Sequence, residues 1–287
     1  PRSTHCISSA ASDVYKRQDG YGLEDHVIKY VAAAFPFARF HVISVINTYE
    51  RGVQLTDILY QEMKDSAIKA IERAEELLRS EGIDTFHSQI LEGLPSREIV
   101  KYAKNNDIDL IAMRVYCRKS TASAHRLGTT LRNVLQRSNI PVLTLAEECS
   151  KIPIKRILLL TDATAKSKRA ENYAILLSSA YRAQLEILYL RSNQEDVKKK
   201  LNNVAWKASY WQIEVSKASE SIEDMDAIRK HFESNDLIVM GPGKRILFWT
   251  KIGHLSQFVA THSPIPVIFV SSLKKRWYQR ISHKSSR

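Results

Sequence analysis

The sequence predicts an α/β protein made of two copies of one parallel-sheet domain in tandem. Three observations carry this expectation. A set of landmarks recurs once along the chain. Strand-like and helix-like segments alternate through both copies, the pattern of βαβ units. The length of 287 residues is what two domains of ordinary size require.

The landmarks are specific. DLIAM at 109–113 returns as DLIVM at 236–240, and SNIPVLTL at 138–145 returns as HSPIPVIFV at 262–270. Each is short, β-rich and preceded by polar turn residues. Gly128 and Gly253 stand before TTLRNVLQRSN and HLSQFVATHS, whose apolar positions fit a short helix. At the front of each copy an aspartate precedes a tyrosine by eleven residues, Asp19 with Tyr30 and Asp162 with Tyr173.

In chain order, residues 1–18 (PRSTHCISSAASDVYKRQ) have neither hydrophobic periodicity nor the apolar core of a signal peptide. They resemble translated adapter-like sequence at the end of an assembled contig. They are expected to be a non-native or disordered segment, leaving the first copy (19–148) without a proper first strand. Ala10, Ala11, Ser12 and Asp13 lack the β-branched run of a buried strand. FHVISVI at 40–46 is the next strand, followed by a long helix over 56–80, strand TFHSQIL at 85–91 and helix 96–105. The second copy (152–272) opens with the buried strand IKRILLLT at 154–161 and a helix over 165–180 that puts Ala170, Tyr173, Ala174 and Leu177 on one face. Strand QLEILYL at 184–190, a helix over 194–210, a weak strand at 213–217 and a helix over 222–233 lead into DLIVM. Parallel strands joined by right-handed helical crossovers make each copy a five-stranded α/β domain. In such sheets ligands sit at the carboxyl ends of the strands. That points to Asp162 and the segment opening at Gly241, with Asp19 and the segment after Met113 as their counterparts.

Composition excludes several function classes. No apolar run reaches the roughly 18 residues of a membrane span, so no transmembrane segment is expected. Three dispersed cysteines, Cys6, Cys117 and Cys149, suit a reducing compartment and a cytoplasmic location rather than a disulfide framework. Nine histidines without ligand spacing argue against a metal centre. The formal charge of +12 is uneven: residues 273–287 form a basic tail with six cations and no acid. Such a tail could contact RNA or anionic lipid, with Trp277 and Tyr278 available to stack. Cys117, beside Arg118 and Lys119, is a candidate redox thiol. Trp206, Tyr210 and Trp211 read as packing residues rather than a stacking platform, and Phe248 and Trp249 as aromatics in the loop before Gly253.

Taken together, the front aspartates, the alanine-bearing helices, the (D)LI(A/V)M strands, the glycines before the last helices and the PVLTL and PVIFV strands resemble the universal stress protein family in tandem form. The resemblance runs from Asp19 to about Val270. It implies a Rossmann-like fold with strand order 3-2-1-4-5, whose final strands pair between copies as a pseudo-dimer; a homodimer is a further expectation. Many members bind ATP through G-x-x-G followed nine residues later by G-S/T. The chemistry is that of backbone N–H groups converging on phosphate oxygens at the start of a helix.

The second copy reads MGPGKRILFWTKIGH, which implies nucleotide contacts at Gly241, Gly243, Lys244, Gly253 and His254. Asp162 would lie on the ribose side, and the backbone of Leu190 against adenine. In the first copy Arg114 and Cys117 stand where glycines belong, leaving Asp19, Gly128 and Thr129 with Arg118, Lys119 and Arg126 as cations. The ligand implied is ATP or another adenine nucleotide, with Mg²⁺ if bound, and any nucleotide is expected in the second copy. No general base or nucleophile constellation accompanies these residues. The function expected is therefore non-enzymatic stress response or regulation through a protein partner, with any ATP hydrolysis slow. The alternatives are a nucleotide-independent scaffold acting through the basic tail and a soluble regulatory module of a transporter.

Overall fold

In the computed structural model, residues 4–10, 25–49, 56–115, 117–118, 126–146, 149, 151–191, 197–246 and 249–271 are described. They divide into two compact units. One takes in the chain up to Arg114 together with Thr129–Val134, and the other takes in Val115–Gly128 and Leu135–Leu273.

The first unit is a parallel sheet of β1 (Thr4–Ala10), β2 (Arg39–Ile46), β3 (Phe86–Glu92) and β4 (Leu110–Arg114) in the order β3-β2-β1-β4. Helices α1 (Asp25–Ala34), α2 (Asp57–Ser80) and α3 (Pro95–Asn105) form the crossovers. β2 and β4 are near-continuous apolar runs because both faces of a parallel sheet are covered by helices. Phe40, Ile43, Ile46, Leu110 and Ile111 are all at most 1% exposed. Thr56 caps α2 by accepting from the Leu59 amide at 3.3 Å. Arg73 of α2 reaches Asp25 of α1 at 2.8 Å.

β1 departs from the sequence reading. The position expected to lack a proper strand is filled by Thr4–Ala10, with His5–Ile7 in register with Leu110–Ala112 and the whole strand in register with β2. A central strand needs only aligned main-chain groups on its two neighbours. THCISSA supplies those although it lacks the β-branched content that marks a buried strand in a sequence.

The second unit holds the complete 3-2-1-4-5 order. Its strands are β8 (Arg156–Thr161), β9 (Gln184–Arg191), β10 (Val215–Ser221), β11 (Leu237–Met240) and β14 (Val267–Phe269), arranged β10-β9-β8-β11-β14 and all parallel. β7 (Val142–Leu145), the last strand of the first sequence repeat, pairs antiparallel with β14 in this unit, Leu143 opposite Ile268. The final strands of the two repeats therefore join as the resemblance implied. Helices α5 (Lys168–Tyr181), α6 (Val197–Tyr210), α7 (Met225–Glu233) and α8 (His254–His262) connect the strands. The core is aliphatic: Ile157, Leu158, Leu159, Leu185, Ile187, Leu188, Ile238, Val239 and Ile268 are completely buried. Asp236 fastens the amino end of this sheet, its Oδ2 accepting from the amides of Lys155 (2.8 Å) and Arg156 (2.9 Å).

Two small antiparallel hairpins complete the chain, β5 (Cys117–Arg118) with β6 (Arg126–Leu127) and β12 (Gly243–Ile246) with β13 (Trp249–Ile252). Each lies between a fourth strand and a last helix, α4 (Thr129–Arg137) in the first repeat and α8 in the second.

Candidate functional site

The carboxyl ends of β9, β8 and β11 are neighbours in the sheet order, and three segments of the expected site leave from them. The first leaves β8. Thr161 is 2% exposed and donates to Glu171 Oε1 at 2.9 Å, while its own Oγ1 accepts from the Ala163 amide at 2.9 Å. Ala163 sits in the left-handed region (φ 51°), and this kink turns Asp162 outward to solvent. Asp162 Oδ1 accepts from the amide (3.0 Å) and hydroxyl (2.9 Å) of Thr164, an Asx turn that stiffens the loop. Ser167 Oγ lies within hydrogen-bonding distance of Thr164 O (2.9 Å) and Glu171 Oε1 (3.2 Å), so the loop hangs from one buried carboxylate.

Glu171 is a residue the sequence reading missed. Only Ser167 four positions earlier could have flagged it, one step off the capping-box spacing, which places the glutamate three positions after the cap.

At the end of β9, the ladder with β8 stops at Tyr189 while that with β10 continues to Arg191. Leu190 therefore stands just past the β8 partner with its side chain buried (6% exposed), so what it can offer a ligand is backbone.

Gly241 follows β11. Its carbonyl accepts from Ser256 Oγ at 3.2 Å, which fastens the strand end to the first turn of α8. A Cβ added at Gly241 would meet no atom within 4 Å among the described residues, and its backbone is not in the left-handed region. Gly253 is the N-cap of α8, with φ −73° and ψ 161° and no side-chain cap. A Cβ there would meet only Ser256 Oγ at 4.0 Å. Gly243 differs, since its φ of 132° is a conformation only glycine adopts easily. His254 is the first residue of α8 and is exposed.

The segment between Gly243 and Gly253 is not the open loop that the glycine spacing suggested. It is the β12–β13 hairpin, with Gly243 opposite Ile252, Lys244 opposite Lys251 and Ile246 opposite Trp249. Ladder pairing directs about half of the N–H groups of such a segment to the partner strand, so fewer can converge on an anion than in a free loop.

The expected residues of the second copy thus fall together: Asp162, Leu190, Gly241, Gly243, Lys244, Gly253 and His254 all lie at or beyond the carboxyl edge of one sheet. In the first copy Gly128 is half-buried and Thr129 opens α4 with its side chain exposed. Asp19 lies outside the described residues, as do the side chains of Cys117, Arg118, Lys119 and Arg126, Phe248 and the basic tail. Among the described residues there is no group of three His, Cys, Asp or Glu side chains able to hold a metal ion, and no helix long and apolar enough to cross a membrane.

Residues 27–145 match the model of the universal stress protein family. Across the whole chain, a universal stress protein from Archaeoglobus fulgidus DSM 4304 is similar in structure, with TM-score 0.75, 22% identity, and 94% of this chain and 97% of that chain covered. A functionally unknown protein from Pseudomonas aeruginosa PAO1 is similar at TM-score 0.58 and 12% identity, with 92% of each chain covered. No curated protein matches the chain. Residues 27–145 are thus similar to the universal stress protein family, and the same strand order recurs from β8 to β14.

Proposed function

We propose that this chain is a stress-response regulator without catalytic turnover, and that an adenine nucleotide bound at the carboxyl edge of the second copy biases its association with a protein partner. One observation carries the reading: Gly241 and Gly253 are glycines that the fold itself does not require. Neither has the positive φ that restricts a position to glycine, and among the described residues neither is crowded by a neighbour at the Cβ position. Glycine at such places is explained by something that must come close to the backbone.

The ligand chemistry fits. The N-terminus of α8 has no side-chain cap, so its first N–H groups and the helix dipole favour a phosphate there. Lys244 and Lys251, register partners in the hairpin, are cations of the type that offsets phosphate charge. Asp162 would accept from the ribose hydroxyls, since its Oδ2 makes no hydrogen bond among the described residues. The main chain of Leu190 would face the base. Binding at this edge is the whole of the assignment, and no chemical step is attributed to these residues.

Mass spectrometry of the purified full chain for adenine nucleotide tests the proposal, repeated on Gly241→Val and Gly253→Ala. Both variants should lose nucleotide; Gly241→Val should keep the parent melting temperature, and Gly253→Ala should lower it only slightly, alanine being the poorer N-cap. Gly243→Val would be ambiguous alone, because its φ strains the hairpin whatever binds. Parent protein that neither retains nor takes up adenine nucleotide would overturn the assignment. An equal loss on substituting Thr129 would show that the second copy is not the site.

A further inference from the structure

The sequence reading assigns Trp206, Tyr210 and Trp211 to packing, and the structure reverses this. The three side chains are 70%, 80% and 54% exposed, whereas Val204 and Ala208 on the same helix are 3% and 0% exposed. α6 is anchored by small residues and presents its largest ones to solvent. Trp206 and Tyr210, four apart, are stacked along one helix face, and Trp211 follows directly in the turn after the helix. Three large aromatics exposed within six positions form a patch of the kind that marks an interaction site.

Within α6 itself the charge is of one sign. α6 has the sequence VKKKLNNVAWKASY, four lysines and no acid. Lys217 on the adjoining strand β10 donates to Asn202 Oδ1 at 2.9 Å, bringing a fifth cation to the helix. The single acid between residues 197 and 217, Glu214, accepts from Gln184 Nε2 at 2.7 Å. The other exposed side chains from 202 to 212 are those of Asn202, Asn203, Ser209 and Gln212, amides and a hydroxyl with no aliphatic residue among them.

We propose that this face of α6 binds single-stranded RNA. Bases stack on Trp206, Tyr210 and Trp211, Lys207 and Lys217 neutralise phosphates, and the exposed amides and Ser209 reach base edges and 2′-hydroxyls. Charge complementarity selects a polyanion over a protein with a mixed surface. A bilayer would call for leucine or phenylalanine on the inserted side, where this face has amides and a hydroxyl. This site is separate from the nucleotide edge and does not depend on it.

Fluorescence anisotropy of the full chain with a labelled uridine oligomer of about 20 nucleotides, at about 50 mM salt, tests the proposal, with quenching of tryptophan emission followed in parallel. The double variant W206A/Y210A should bind about ten-fold or more weakly. It should keep the parent melting temperature, because both side chains are exposed, and the same dependence on salt, because the phosphate contacts remain. Lys217→Gln should instead reduce the salt slope by about one. Unchanged affinity in W206A/Y210A would overturn the proposal and move any RNA binding elsewhere, the basic tail included. Absence of binding at this salt would also overturn it. So would equal affinity for the matching deoxythymidine oligomer, or binding to phosphatidylserine vesicles but not RNA that the same double substitution abolishes.

Discussion

Thr161 at the end of β8 donates to Glu171 in the first turn of α5 at 2.9 Å, and Glu171 is only 2% exposed. A carboxylate held this far from water is tolerated where hydroxyl donors replace its hydration, and Thr161 and Ser167 both lie within reach of Oε1. The pair ties the strand to the helix and, through the bond from Ala163 N to Thr161 Oγ1, sets the turn that carries Asp162.

Removing this acceptor leaves the buried Thr161 hydroxyl with its bond unmade, while Ser167 keeps the Thr164 carbonyl, so Glu171→Ala is expected to cost about 1–3 kcal/mol of stability. Glu171→Gln keeps an acceptor oxygen and should lose less. Urea unfolding midpoints of the two variants check the order. If nucleotide binds beside Asp162, Glu171→Ala should weaken it as well, because the turn loses its anchor.

The repeated DLI motif yields a second prediction. In the second copy its aspartate, Asp236, is the clamp at the amino end of β8 described above, and its own amide donates to Arg156 O at 2.9 Å. Asp236→Ala should destabilise by about 1–3 kcal/mol, whereas Asp236→Asn, which retains one acceptor, should recover much of that loss. Thermal melts of the two variants decide it. An equal loss for both would mean that the charge matters and not the acceptor geometry.

That motif was readable because in both copies an aspartate precedes a buried strand, Leu110–Arg114 and Leu237–Met240. The elements hidden from the sequence had other causes. Thr4–Ala10 is held by pairing to β2 and β4, and partners on other strands leave no trace in local composition. The hairpin β12–β13 was obscured because glycine spacing drew the reading toward a loop, although Ile246 and Trp249, which pair in register, are strand formers. The exposure of Trp206 and Tyr210 was hidden for a third reason. Helical periodicity shows which residues share a face but not which face is covered, and on α6 the covered positions include those of the smaller Val204 and Ala208. The candidate site residues come from the resemblance, while the structure added what the glycine backbones do: Gly243 has a positive φ, and Gly241 and Gly253 do not.

The two copies also differ beneath the helix that precedes their fourth strand. In the first, His41 of β2 meets Tyr102 of α3, Nδ1 to hydroxyl at 2.9 Å. In the second, Glu186 of β9 meets His231 of α7 at 2.5 Å, and Asn235 donates to the other carboxylate oxygen at 2.7 Å. Apolar strand patterns survived duplication where the polar partners below the helix did not.

This difference gives the first copy a pH dependence of defined sign. Burial, then the neighbouring His87, then Arg39, hold the His41 imidazole below its ordinary value of 6.5. Its ring centroid is 5.4 Å from that of His87, so protonating both would set two cations side by side. The fold therefore favours neutral His41, with Nδ1 free to accept from the Tyr102 hydroxyl in the appropriate tautomer. Because the unfolded chain takes up this proton more readily than the folded one, stability from His41 is complete above about pH 6.5 and is lost as the pH falls through the lower folded value. The melting temperature should fall between pH 7.5 and pH 5, and His41→Phe, which fills similar space without titrating, should reduce that fall even though it gives up the bond to Tyr102. A fall of the same size in His41→Phe would place the acid sensitivity on other histidines.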